Sequence, residues 1–261
     1  MGAQTTQSLA QARASLSAHQ ATEELARSLF AAAVGLSGSK ALRGALTDSS
    51  ADQKALQELA TSAFASLSTD ATALISELVS LPWSSPEDLQ AALEELGIRV
   101  LAELSGETDL VGELLAISTV IHSDPEVELA VGSKRASGEA KATLVSALIG
   151  GKVSASAEAI VRHLVSDPRG RRIGRMLQQT AEIVADQGGK GLCVVTVAKP
   201  LSAAQRSAIE QVVEKKYQRP HYIAQQIDQS VVGGARIRVG DDVLDGSVAT
   251  RLQDLRIKLA S

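Results

Sequence analysis

The C-terminal segment 231–259 is the part of this sequence that most constrains the fold, and it reads VVGGARIRVGDDVLDGSVATRLQDLRIKL. Residues 236–239 alternate polar and apolar side chains, which is the period of a half-buried strand. Gly240 and Asp241 then favour a tight reversal, and Val243–Leu244 supplies a second short strand. The segment therefore predicts a β-hairpin.

A short amphipathic helix is predicted directly after this hairpin. The triplet Asp245-Gly246-Ser247 ends the second strand and supplies oxygens that can cap a helix N-terminus. Apolar residues then recur at helical spacing along one face, at Val248, Leu252, Leu255 and Leu259. The stripe suits two roles, the core of a C-terminal domain or a contact surface for a partner, and the spacing alone leaves both open.

Several features in this segment and just upstream of it carry a family resemblance. They are an aspartate ahead of a glycine pair, the turn glycine and the Asp-Gly-Ser triplet: Asp228, Gly233, Gly234, Gly240, Asp245, Gly246 and Ser247. Together with the upstream junction AKPLS at 198–202, they resemble the C-terminal signature of the delta subunit of F-type ATP synthases. The mitochondrial relative in that family is the oligomycin-sensitivity-conferral protein. The resemblance is looser over the helical remainder, which is longer than in the usual family member.

The resemblance implies a non-catalytic connector in the peripheral stalk of the proton-translocating ATP synthase. In that family the helical domain grips the N-terminal segments of alpha subunits, and the C-terminal domain holds the b-type stalk helices. The expected partners are therefore alpha and b-type subunits, with beta reached indirectly, at the cytoplasmic face of the cell membrane. The resemblance implies no catalytic residues, no metal and no cofactor. The enlarged, Ala-rich form resembles that of high-GC Gram-positive bacteria.

The alternative interpretation is a free-standing helical adaptor that shares only the C-terminal module. The repeated helical part of the chain favours this alternative. An enzyme has no support beyond scattered acidic residues and one cysteine.

Composition narrows the class of protein further. Aromatic residues make up 2% of the 261 residues against 44% hydrophobic residues, so the core must consist of Ala, Leu, Val and Ile in closely packed helices. The net charge of −4 argues against a nucleic-acid partner. No apolar run approaches the length of a membrane-spanning helix, so we expect a soluble chain that associates with the membrane only through a complex. We expect no homo-oligomer.

The fold class predicted is α+β and mostly helical, in three parts. Residues 1–105 form a first helical copy, 106–187 a second helical copy and bundle, and 188–261 a small β-α-β-β-α docking domain. Within the first part, one helix is predicted over 9–34. Ser85-Pro86 is a strong helix start, with a cap followed by proline at the first helical position.

An internal duplication is predicted from a repeated apolar pattern. Leu74-Ile75, Leu78-Val79 and Pro82 match a second set at one constant offset, namely Ile160-Val161, Leu164-Val165 and Pro168. The competing explanation is that any two short Ala/Leu helices look alike.

Three local features are open to a chemical and to a structural interpretation. Asp241, Asp242 and Asp245 suit a cation site or ordinary turn and cap chemistry, and we favour the turn. Cys193 suits a nucleophile or a core thiol, and we favour the core. The third feature is a basic cluster, which suits a solvated face or a contact with an acidic partner or lipid: Arg169, Arg171, Arg172 and Arg175.

We expect Gly234 to need a positive φ or a close backbone approach at the start of the hairpin. Gly234→Val should therefore damage the hairpin and lower both the melting temperature and the binding to the stalk. Thermal unfolding and copurification with stalk subunits measure the two effects. An unchanged melting temperature together with unchanged stalk binding would contradict the requirement for glycine.

Overall fold

The computed structural model describes residues 2–133, 135–229, 231 and 234–245. The chain divides into two compact units, Met1–Ile183 and Val184–Ser261. The first unit is helical and the second contains a four-stranded sheet, which confirms the predicted α+β, mostly helical class.

The first unit is built from helices joined by short turns. Their bounds are α1 (Ala3–Leu16), α2 (Glu23–Gly38), α3 (Lys40–Leu46), α4 (Gln53–Ala63), α5 (Thr69–Leu78), α6 (Pro86–Leu104), α7 (Leu110–Ser123), α8 (Pro125–Gly132), α9 (Gly138–Ile149), α10 (Ala155–Ser166) and α11 (Ile173–Gln187). The last of these continues into the second unit.

Local capping explains where two of these helices begin. The predicted start at Ser85-Pro86 is confirmed, because the Asp88 carboxylate accepts a hydrogen bond from the Ser85 N–H in a capping box. The single helix predicted over 9–34 is wrong, because α1 ends at Leu16 and α2 begins at Glu23. The Thr22 hydroxyl accepts a hydrogen bond from the Leu25 N–H, so this threonine caps a new helix inside an otherwise continuous Ala/Leu pattern.

Helices recur at a nearly constant separation along the first unit. Helix α5 begins at Thr69 and α10 begins at Ala155, a separation of 86 residues. At a similar separation α2, α3 and α4 correspond to α7, α8 and α9. The packing follows the same correspondence, since α5 packs against α4 and α1, while α10 packs against α9 and α6.

A pair of matched contacts lies at the same separation. The Ser8 hydroxyl donates to the Pro82 carbonyl oxygen at 2.5 Å and ties α1 to the turn after α5. The residues 86 positions further on are Glu94 and Pro168, and Arg171 links them. It donates hydrogen bonds to the Glu94 carboxylate and to the Pro168 carbonyl oxygen. Helix α6 therefore occupies, beside α10, the place that α1 occupies beside α5.

Helix α6 is buried on every side over most of its length. It packs against α1, α2, α3 and α10, and every residue from Ala92 to Leu101 is buried. Gly97 lets the Phe30 ring of α2 approach closely, since a Cβ at this glycine would lie 2.6 Å from Phe30 Cε1. A helix with this placement has no solvated face, so its polar residues must find partners inside the protein.

The second unit is a mixed sheet with one helix packed on it. Its elements are β1 (Gly191–Val197), α12 (Ala203–Tyr217), β2 (His221–Ile227), β3 (Ala235–Val239) and β4 (Asp242–Asp245). The strand order is β2-β1-β3-β4, with β1 parallel to β2 and antiparallel to β3. Cys193, Val195 and Val213 form the centre of its core between the sheet and α12.

The predicted hairpin is confirmed as β3 and β4, paired antiparallel. Gly234 before the hairpin has φ 76° and Gly240 in its turn has φ 57°, conformations that cost a non-glycine residue roughly 1–2 kcal/mol. The predicted terminal helix with Val248, Leu252, Leu255 and Leu259 lies outside the described residues.

Gly97→Ala should lower the free energy of unfolding by roughly 1–2 kcal/mol, because the added Cβ displaces a buried ring from a packed site. Alanine normally stabilises a helix interior relative to glycine by about 1 kcal/mol, so the sign of the effect reports on the close approach of Phe30. Gly44→Ala in α3 is the matched control, since nothing lies within 4 Å of its added Cβ. Urea unfolding of both variants measures the difference, and equal stabilisation by both would contradict the close packing.

Candidate functional site

An apolar pocket lies between α2, α6 and α10 in the first unit. Its volume is about 340 Å³, and its lining combines a small apolar floor with a charged rim: Glu23, Ala26, Arg27, Phe30, Leu101, Ala155, Ser156, Ala159 and Arg162. Phe30 and Leu101 are buried, whereas Arg27 and Ala159 are exposed. The pocket is therefore open to solvent at the rim and apolar at its base.

Helical spacing explains how the sequence builds this pocket. Ala155, Ala159 and Arg162 lie at i, i+4 and i+7, so they share one face of α10. Two alanines in succession on that face leave room for another side chain beside the helix. On α2, Glu23, Arg27 and Phe30 have the same spacing and form the opposite wall.

The floor of the pocket is fixed by an aromatic contact. The Phe30 ring stacks on the His163 ring with their centroids 4.1 Å apart and their planes inclined by 7°. His163 is itself buried on α10, so the contact joins α2 to α10 directly. A second link joins the C-terminal ends of these two helices. There the Ser37 hydroxyl donates a hydrogen bond to the Asp167 carboxylate at 3.0 Å.

A buried carboxylate, Glu94 of α6, lies behind this floor. Arg171 binds it through two nitrogens, at 2.6 and 2.9 Å, and Arg169 forms a further hydrogen bond to the same carboxylate. His163 Nε2 lies 3.3 Å from Glu94 Oε2, which is within ion-pair range but outside good hydrogen-bond geometry. Three cationic or potentially cationic side chains thus surround one carboxylate.

These partners determine the ionisation of Glu94. Burial alone would raise the pKa of Glu94, but contact with His163, hydrogen bonds from Arg171 and the charges of Arg169 and Arg171 outweigh it. Together they hold the pKa far below its ordinary value of 4.5. Glu94 is therefore a carboxylate at neutral pH despite its burial.

Two of the four arginines in the basic cluster consequently form ion pairs within the first unit. Arg169 and Arg171 pair with Glu94. Neither interpretation of the cluster, a solvated face or a contact surface for a partner, therefore applies to these two residues. Arg172 and Arg175 are exposed. Arg169 also adopts φ 49°, a left-handed conformation that is rare for a non-glycine residue and lies in the turn that brings its side chain to Glu94.

The other buried polar groups of α6 are also paired. Glu95 accepts hydrogen bonds from Arg13 of α1 and from Arg99, each at 2.8 Å. Gln90 donates to the Ala33 carbonyl oxygen of α2 at 3.0 Å. The polar side chains of the central helix therefore connect it to the helices on both sides.

The described signature residues lie in the turns and at the strand ends of the sheet. The Asp228 N–H donates to the Val197 carbonyl oxygen at 2.9 Å just after β2, and Gly234 precedes β3. Gly240 lies in the β3–β4 turn, and Asp245 pairs with Arg236 in the ladder. Three further signature residues lie outside the described part of the chain: Gly233, Gly246 and Ser247.

Cys193 and Asp242, which were open to a chemical interpretation, have contacts that indicate a structural role. Cys193 is fully buried, and burial raises the pKa of its thiol to about 11. Asp242 accepts a hydrogen bond from the Tyr217 hydroxyl at 2.9 Å and pairs with Lys216, which ties the hairpin to α12. In the described ranges no group of three or more His, Cys, Asp or Glu side chains is placed to hold a metal ion. Nor does any helix there have the length and apolar character needed to cross a bilayer.

These features define a class of protein. In the first unit the buried charged side chains of α6 are held in ion pairs, and an apolar pocket lies between helices. This arrangement suits the docking of another helix. The second unit is a small sheet domain stabilised by turn residues. A helix-packing, protein-binding subunit is the class that this geometry supports.

Comparison with known proteins gives the family. A sequence model of the ATP synthase delta (OSCP) subunit matches residues 99–259. The ATP synthase subunit delta of Leifsonia xyli subsp. xyli is 39% identical over 263 residues, which cover 100% of both chains. That of Streptomyces avermitilis is 34% identical over 245 residues, or 91% of this chain and 89% of its own. The chain therefore belongs to the ATP synthase delta (OSCP) subunit family.

Membership of this family confirms a non-catalytic, structural subunit of the peripheral stalk as the function. The relatives match the helical part as well as the C-terminal module, which favours the stalk subunit over the free-standing adaptor. A chain of the mitochondrial ATP synthase hexamer of Toxoplasma gondii covers 65% of this chain and 98% of its own at 23% identity, with a TM-score of 0.37.

The pH dependence of stability should report on Glu94. Because its pKa is lowered in the folded protein, the carboxylate stabilises the fold above pH 4.5 and loses this contribution as the pH falls below that value. At neutral pH Glu94→Gln should lower the free energy of unfolding by about 2–4 kcal/mol, since it removes the buried carboxylate that Arg169 and Arg171 share. It should also flatten the decline in stability on the acid side.

Glu58→Gln is the matched control, because Glu58 forms an exposed pair with Lys54 at 3.9 Å. We expect that change to cost less than about 0.5 kcal/mol. Chemical unfolding of both variants between pH 3 and 7 makes the comparison, and equal losses would show that the buried cluster does not stabilise the fold.

Proposed function

We propose that the pocket between α2, α6 and α10 binds the N-terminal segment of an alpha subunit of the catalytic head. The segment would dock as an amphipathic helix, with one bulky apolar side chain over Phe30 and Leu101. The observation that carries this proposal is the pocket itself, since it combines an apolar floor with exposed alanines that leave space for a helix. Affinity would come from that anchor and the area around it.

We propose further that the second unit binds the b-type stalk. Large apolar side chains are exposed there on α12 and the sheet: Val212, Ile227, Val243 and Leu244. The signature residues shape the turns next to them, and the predicted stripe of Val248, Leu252, Leu255 and Leu259 would extend the contact surface. With head and stalk both held, the chain would sit peripherally at the cytoplasmic face of the cell membrane.

The helical unit is proposed to contain two overlapping copies of one bundle. Residues 1–105 contain the first copy, as the sequence predicts, but the matched contacts of Ser8 and Glu94 support a second copy that begins with α6 and ends with α11. Helix α6 would then close the first bundle and open the second. The 106–187 boundary predicted from sequence would omit this shared helix.

Titration calorimetry of the full chain with a synthetic peptide from the N-terminus of the cognate alpha subunit tests the groove. Ala159→Trp should fill the pocket and weaken peptide binding at least tenfold, because the partner's anchor loses its place. Ala73→Trp is the matched control, since Ala73 is also exposed and occupies the corresponding position on α5.

A loss of binding in the Ala159 variant alone would support the proposed groove. Equal losses in both variants, or unchanged binding in both, would place the peptide elsewhere. Copurification with alpha and b-type subunits, measured on the same variants, separates loss of the head contact from loss of the stalk contact.

A further inference from the structure

The pocket is a composite of the two helical copies. Helix α2 lies only in the first copy and α10 only in the second, and each supplies one wall. The wall from α2 is fixed in advance of any partner, because Phe30 stacks on His163 and Ser37 binds Asp167. A preorganised wall lowers the ordering cost of binding, so this contribution of the first copy favours docking.

The corresponding place in the first copy is polar. The residues on α6 and α10 that line the pocket are replaced, 86 positions earlier, by mostly polar side chains: Ser15, Thr69, Asp70, Ala73 and Ser76. Asp70 carries a 60% exposed side chain and lies 3.9 Å from His19. The groove between α1 and α5 therefore lacks the apolar floor that an anchoring side chain needs.

We propose that the first helical copy binds no second helix and instead completes the groove on α10 as a specificity wall. The partner that fits is an amphipathic helix whose bulky apolar anchor is flanked by an acidic residue facing Arg27. This inference rests on the proposed docking of a partner helix in the groove, and it adds which copy selects that partner and by what charge.

Arg27 supplies a positive charge on the α2 wall of the pocket. It is exposed on the rim and forms no hydrogen bond or ion pair with any residue that the structure describes. Arg162 on the opposite wall is already engaged, since it donates to the Ser146 hydroxyl at 2.9 Å and lies 3.8 Å from Glu158. An unpartnered cation beside an apolar pocket favours a carboxylate next to the anchor, and such rim charges select partners more than they add affinity.

Photo-crosslinking in the assembled complex tests which copy meets the partner. A benzoylphenylalanine side chain would replace Arg27 on α2, Arg162 on the α10 rim or, as the control, Ala73 on α5. We expect the first two positions to crosslink to the same partner segment and the third to crosslink to no copy of it.

The possible outcomes separate this inference from the proposed function. Crosslinking from position 162 alone would leave the groove in place and overturn the role of the first copy. Crosslinking from neither 27 nor 162 would overturn both, as would crosslinking from 27 alone, because the groove needs its α10 wall. Capture of the same segment by position 73 would show a second site and overturn the specificity wall.

Charge reversal provides the second measurement. Arg27→Glu should weaken binding of the alpha-subunit peptide about three- to tenfold at low salt, with a smaller effect at high salt. A peptide whose acidic residues are replaced by lysine should recover the lost affinity. Lys54→Glu on α4 makes the same charge change away from the pocket, and equal effects of the two variants would overturn the acidic preference.

Discussion

The first unit depends on the burial of α6 on all of its sides. A surface helix can point its charged residues to water, but α6 is enclosed by α1, α2, α3 and α10. Its carboxylates must therefore be neutralised within the protein, because an unpaired buried charge costs several kcal/mol. Glu94 and Glu95 meet this requirement with arginines from opposite directions, Arg171 after α10 and Arg13 on α1.

This arrangement gives a torque-resisting subunit a stiff junction. Hydrophobic contacts between Ala/Leu helices are non-directional and permit sliding, whereas a bidentate arginine–carboxylate pair fixes distance and angle. The pairs on α6 connect elements on both sides of this central helix, and the Phe30–His163 stack adds a planar contact between α2 and α10. The helices around α6 are therefore joined by directional contacts as well as by apolar packing.

Local patterns predicted the parts of this structure that depend on local chemistry. The start of α6 was predictable from Ser85 and Pro86, and the hairpin from its alternating strand and turn glycine. The partner of Arg171 was not, because Glu94 lies 77 residues earlier and a run of arginines looks the same whether it faces water or a buried carboxylate. The pocket was missed for a related reason, since Ala155 and Ala159 give no signal in an Ala-rich chain.

His163 links the pocket to the buried ion pairs around Glu94, because it contacts both. One face of its ring supports Phe30 in the pocket floor, while its Nε2 lies 3.3 Å from Glu94. A partner that presses on Phe30 therefore acts on the same side chain that borders the buried carboxylate. Since a ligand that binds only the folded state stabilises it by mass action, an occupied groove would also stabilise the junction. Binding of a partner in the groove and the rigidity of the helical unit would therefore strengthen each other.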